Sequence, residues 1–196
     1  MRRFFIGLCV LASSLVLSLS AFADDDSSVF TEDAYDGSWV LVCDGYEVYL
    51  PADMRVSGAD ELEAITSMMQ SQGIPGISTS FYSEAEDGMT IMNTHFRGSE
   101  MDFSNSDLSS YQELFDWYLS SLAAMLHPET VNGIEGYFVD DADSERGNVS
   151  YLWFSDDVMN TIECGNLDTD SKKETAQLIV SSLRPAEETV EEETEG

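Results

Sequence analysis

Three times along this chain, two short apolar runs are separated by only a few turn-forming residues, and this pattern restricts the fold more than any other feature. Residues 39–43 and 46–50 flank Asp44-Gly45, residues 77–83 and 89–96 flank an acidic turn at 84–88, and residues 149–154 and 158–164 flank Ser155-Asp156-Asp157. Connections this short join antiparallel neighbours, because a parallel crossover needs about a dozen residues or more. Alternation within the runs predicts half-buried strands. Ile77, Thr79 and Phe81 interleave with Ser78, Ser80 and Tyr82, and in the return strand Met89, Ile91, Asn93 and His95 oppose Thr90, Met92, Thr94 and Phe96. A further strand over residues 134–139 follows the turn Asn132-Gly133 and is interrupted by Gly136.

Between the hairpins lie helical patterns. Ser110 and Glu113 form a capping box, in which each side chain satisfies a backbone N–H of the other residue. Behind it Tyr111, Leu114, Phe115, Tyr118, Leu119, Leu122, Met125 and Leu126 keep helical spacing until Pro128, placing His127 at a helix C-terminus where a cation is favoured. Residues 60–72 predict an earlier helix with Leu62, Ile65 and Met69 on one face, stopped by Gly73 and Pro75. A last helix starts at Ser171 with Glu174 as its box partner, buries Ala176, Ile179, Val180 and Leu183, and ends at Pro185. The order is hairpin, helix, hairpin, helix, strand, hairpin, helix. Without βαβα alternation or a Gly-rich phosphate loop, this predicts an α+β fold: a mainly antiparallel sheet flanked by helices, an α/β/α sandwich.

The ends differ from the middle. Arg2 and Arg3, an apolar run from Phe4 to Leu19, and Ala21-Phe22-Ala23 have the order of a secretory signal, so residues 1–23 are expected to be cleaved after Ala23. Cys9 lacks the small residues of a lipoprotein box before it. The expected layout is then a flexible acidic leader over 24–37, one domain over 38–185 and a disordered Glu-rich tail over 186–196. Eight Lys and Arg against 38 Asp and Glu give a formal net charge of −30. That charge disfavours nucleic acid and anionic lipid as partners, attracts cations and keeps the chain soluble, with a monomer expected.

Cys43 and Cys164 remain after signal removal, each at the end of a predicted strand and before a turn. An exported chain permits a disulfide between them, with two separate buried thiols as the other reading.

Gly45-Tyr46-Glu47-Val48-Tyr49-Leu50-Pro51 as an opening strand ending in proline, the long helix over 111–126, Asn132-Gly133-Ile134-Glu135-Gly136-Tyr137 as a strand entry, and a terminal helix together resemble the secreted PsbP/Mog1-like α/β/α sandwich proteins. The resemblance spans about residues 38–185. It implies a helix-flanked antiparallel sheet and a binding or assembly accessory with no shared catalytic set, so it carries no active-site residues to this chain.

The residues themselves point to no catalytic set. His95 sits among apolar strand neighbours, no serine occupies a nucleophile elbow, and neither cysteine has a histidine close in sequence. Asp140, Asp141, Asp143 and Glu145 alternate as calcium ligands can, with Asp141, Asp143 and Glu145 the candidate metal set. The glycine and closing glutamate of an EF-hand are missing, so a solvated turn is the preferred reading. Trp39, Trp117, Trp153, Tyr137, Tyr151 and Phe154 could line a groove for sugar or peptide, but aromatics in strands and on amphipathic faces are more often core. The expectation is a secreted, non-catalytic binding or accessory protein of a bacterial envelope or exterior, with a protein or envelope component as partner and no cofactor other than calcium in view. A hydrolase using dispersed carboxylates and a calcium-dependent adhesion domain are the alternatives.

Overall fold

The computed structural model describes residues 30–43, 45–71, 76–100, 109–123, 125–141 and 147–186. The expected signal segment, the tail beyond Ala186, and Asp143 and Glu145 lie outside the described residues. In chain order the elements are β1 (Gly37–Cys43), β2 (Tyr46–Pro51), β3 (Arg55–Val56), α1 (Ala59–Ser71), β4 (Ile77–Glu84), β5 (Thr90–Arg97) and α2 (Tyr111–Leu122). They continue with β6 (His127–Val131), β7 (Ile134–Asp141), β8 (Asn148–Ser155), β9 (Val158–Gly165), α3 (Asp170–Ser181) and β10 (Arg184–Pro185). All strand pairs are antiparallel, in a three-stranded sheet ordered β1-β2-β10 and a seven-stranded sheet ordered β3-β4-β5-β9-β8-β7-β6. The chain therefore has the α+β fold that its hairpins and capped helices predict.

Helices cover both faces of the large sheet. On one, Ile91, Val149, Tyr151, Trp153, Ile162 and Cys164 meet Ala176, Ile179 and Val180 of α3 and Val42, Val48 and Leu50 of the small sheet. On the other, Ile77 and Phe96 pack with Leu114 and Phe115 of α2 and Met69 of α1, while Leu152 packs with Tyr118. Burying a side chain of this size contributes roughly 1.5–3 kcal/mol, so the α3 side holds most of the apolar stabilisation. Gly136 does not break its strand. It pairs opposite Trp153, and a Cβ there would meet the Leu152 carbonyl and lie 2.7 Å from Tyr151 Cζ. The missing side chain lets the Tyr151 ring lie over β7 and send its hydroxyl to the Ile134 carbonyl at 2.7 Å.

Several expectations are corrected. The helix expected to reach Leu126 ends at Leu122, and His127 and Pro128 open strand β6 instead. Pro128 ends the periodic pattern because it cannot donate to a helix, yet it is tolerated on an edge strand. The last helix is capped by Thr169, which accepts from Lys172 N, not by Ser171. The Ser110 cap is present, but the Glu113 carboxylate reaches Ser109 N at 2.7 Å. In β4 the register slips between Thr79 and Phe81, so Ile77 packs toward α2 and Phe81 toward α3. A bulge of this kind adds one residue and sends the later side chains of the strand to the opposite face.

The leader expected to be flexible over 24–37 is packed from Phe30 onward. Phe30 contacts Tyr35, Trp39 and Tyr49, and Tyr35 donates to the Tyr49 carbonyl at 2.6 Å. Aromatic burial outweighs the acidic composition there. Cys43 and Cys164 are not disulfide-bonded. Cys43 ends β1 in the small sheet, whereas Cys164 lies in the large sheet beneath α3, its thiol 3.9 Å from the Ala176 carbonyl. The expectation assumed a single sheet for both strands, and that assumption fails.

Candidate functional site

A cleft of about 460 Å³ lies where three elements meet. Pro51, Ala52 and Asp53 at the end of β2 form one wall, Ala85, Asp87 and Met89 of the β4–β5 turn another, and Ser171, Lys172 and Thr175 of α3 the third. Tyr35 and Asp36 close it from the N-terminal side. Local sequence explains the geometry. Pro51 cannot extend the hairpin, Gly88 turns at a φ of 84°, and Thr169 fixes the entry of α3.

Lys172 is the cation of this cleft, and it is committed. Only 8% exposed, it donates to the Asp168 carboxylate at 2.8 Å and to the Asp87 carbonyl at 2.8 Å, with Asp87 Oδ2 3.9 Å away. The hydrogen bond from Lys172 holds the Asp168 carboxyl below its ordinary range. Asp36 and Asp53 face the same space. A positive charge in the first turn of a helix opposes the helix dipole. That anomaly is the one sequence signal of this site, and reading residues 84–88 only as a turn hides the role of Asp87.

The residues singled out from sequence are dispersed. His95 is half-buried on β5 between Ser78 and Asn160, and His127 is exposed on β6, four strands away. Trp153 and Tyr151 are core, with Trp153 wholly buried. Trp39 lies on the outer face of the small sheet, its ring 3.4 Å beneath the Arg184 guanidinium and its Nε1 donating to Glu32 at 2.8 Å. Trp117, Phe154 and Tyr137 pack around α2. Asp141 is buried at the end of β7, and Asp143 and Glu145 fall outside the described residues. Among the described residues, no three His, Cys, Asp or Glu side chains come together to hold a metal, and no helix is long and apolar enough to cross a membrane.

One carboxylate that sequence reasoning misses stands apart. Burial raises the Glu163 carboxyl above the ordinary glutamate range. The Tyr118 hydroxyl beside it is pushed up to about 12, by burial first and then by the charge of Glu163.

No protein-family model matches the chain, and no curated protein is similar to it. Among solved structures it is similar to the cyanobacterial PsbP protein CyanoP from Synechocystis sp. PCC 6803. The identity is 13%, the match covers 73% of this chain and 88% of that one, and the TM-score is 0.43. A crystal structure from Bacteroides thetaiotaomicron VPI-5482 matches at 13% identity over 74% of this chain and 46% of its own length, with a TM-score of 0.38.

Proposed function

We propose that the chain is a non-catalytic binding protein, exported by the segment over residues 1–23 to a bacterial envelope or exterior, which engages a basic partner through the Lys172 cleft. The observation behind this reading is the state of the cleft. Its lysine is already held by Asp168 and Asp87, while Asp36 and Asp53 point charge into a space large enough for a side chain from another molecule. A basic segment of a protein or envelope component meets the negative field of the whole chain as well as this local one.

The test is affinity capture from the native host's envelope with the wild-type domain and with Asp53→Lys as paired baits. A partner held by the wild type, released by moderate salt and absent from the Asp53→Lys capture supports the reading. Equal capture by both baits sinks it. The hydrolase alternative draws on Glu163, since burial moves its carboxyl in the direction a general acid requires. Turnover of chromogenic glycosides or esters that disappears in Glu163→Gln would establish it instead.

A further inference from the structure

The face of the large sheet under α1 and α2 carries two carboxyl groups that the rest of the described protein leaves without a counter-charge. Glu163 lies four residues beyond Met159, which packs against the Phe96–Leu114 cluster, so by alternation it points to that face. Asp141 lies four beyond Tyr137, which packs with Leu152 and Tyr118, and shares the same face. The register runs Val139 to Ser150 to Glu163 to Met92, with Asp141 one step further along, opposite Asn148.

Asp141 is only 7% exposed and its Oδ2 has no hydrogen-bond partner. No hydrogen bond or ion pair to Glu163 exists among the described residues, and the residue is half-buried. The Tyr118 side chain of α2 lies beside it. Phe96 and Leu152 are buried at the α2 end of this face, whereas Met92, Thr94, Thr161 and Asn148 remain half-buried toward the other.

Four of the described basic residues are paired elsewhere. Arg55 pairs with Glu61, Arg97 with Glu100, Lys172 with Asp168, and Arg184 with Glu47. An orphaned carboxyl in such a place is costly unless a cation arrives from outside. Two strands and two residues separate Asp141 from Glu163, which puts their Cα atoms on the order of 12 Å apart.

We propose that this stretch of the sheet face binds a small elongated organic cation, one amino or guanidino group against Glu163 and a second against Asp141. The Tyr118 hydroxyl lies beside the first position, and the half-buried Met92 and Thr161 form the floor. The site is separate from the Lys172 cleft, which opens on the α3 side, so either can fail without the other.

Calorimetric titration of the purified protein with putrescine, spermidine and agmatine tests the proposal. Wild-type protein is expected to bind at least one of them, with a rise of a few degrees in melting temperature. Glu163→Gln should weaken that binding at least tenfold, Asp141→Asn should weaken it by less and most for the longest ligand, and Asp53→Asn in the cleft should leave it unchanged. Glu163→Gln keeps the side-chain shape and removes a desolvated charge, so it is expected to fold. If it does not, Asp141→Asn carries the comparison. Unchanged affinity in both variants overturns the proposal. So does an equal effect from magnesium, calcium or sodium chloride, or binding confined to oligolysine peptides. Arg146, outside the described residues, is the internal competitor: if Arg146→Ala destabilises the protein only while Glu163 is present, the counter-charge is internal and the proposal falls.

Discussion

The two faces of the seven-stranded sheet are built on different principles. Beneath α3 one continuous cluster runs from the small sheet through Tyr151 and Trp153 to Ile179, and its members are almost wholly withdrawn from water. Beneath α1 and α2 the apolar contacts divide into smaller groups, α1 buries no residue completely, and the Glu163 carboxyl sits between Ser150 and Met92. Close packing on one side supplies the stability that lets the other side keep polar groups in poor solvation. The contrast teaches that the continuous core and the desolvated carboxyl groups occupy opposite faces, a division that four measurements can break or sharpen.

The largest effect should come from truncating the dry side. Trp153→Ala removes a wholly buried ring and is expected to cost about 3–5 kcal/mol, whereas Met69→Ala on half-buried α1 should cost no more than ~1 kcal/mol. Urea unfolding of both variants checks the pair, and similar losses would erase the distinction. Next, Lys172→Met should destabilise by about 1–2 kcal/mol, because the β4–β5 turn loses its tie to α3 while Asp87 and Asp168 can still turn to water. Full retention of stability would show that the tie contributes nothing.

The third measurement sets two carboxylates of opposite sign against each other across pH. The Glu163 pKa is raised in the folded state, so the fold binds this proton more tightly than the unfolded chain does. Stability is lost as pH rises above the ordinary glutamate range. Glu163→Gln should therefore match wild type near pH 4 and exceed it at pH 7–8. The Asp168 pKa is lowered by Lys172, so its contribution is present above the ordinary aspartate range and disappears as pH falls. Asp168→Asn should be less stable than wild type at pH 7 and equal to it near pH 3. Melting curves across that range read both, and parallel profiles would contradict the assignment. The smallest effect belongs to the outer face of the small sheet. Arg184→Gln removes the stack on Trp39 while its amide can still donate to the Glu47 carboxylate, and should cost about 0.5–1 kcal/mol, with a shift in tryptophan emission reporting the exposed ring.

The hairpins and helices are legible in the sequence because their signals are local: a two-residue turn at Asp44-Gly45, the alternation of β4 and β5, a serine three residues before Glu113. What is not legible depends on which sheet a strand joins. Nothing in residues 39–50 says that this hairpin leaves the main sheet for a small one closed by Arg184 and Pro185, and the disulfide expectation fails on that point. Strand β6 is hidden because His127 and Pro128 continue a helical pattern that the chain abandons at Leu122. Of the two carboxyl groups on the α2 face, only Asp141 stands out in the sequence, and there as a calcium ligand. Glu163 reads in sequence like any solvent-facing acid of a strand, and only the helix laid over it reveals its desolvation. Lys172 is more open to detection, since a base in the first turn of a helix opposes the dipole and needs a partner.

Strand β6 also bears on how the molecule behaves in company. It forms one rim of the seven-stranded sheet, with Pro128 lacking an N–H and Glu129 carrying charge outward, while the opposite rim is the two-residue β3 flanked by the Arg55–Glu61 pair. A passing strand from a second molecule finds at neither border the long, flat row of donors and acceptors that fibril growth requires. A sheet this wide, so rich in β-branched and aromatic side chains, is thereby guarded against seeding its own aggregation at high concentration.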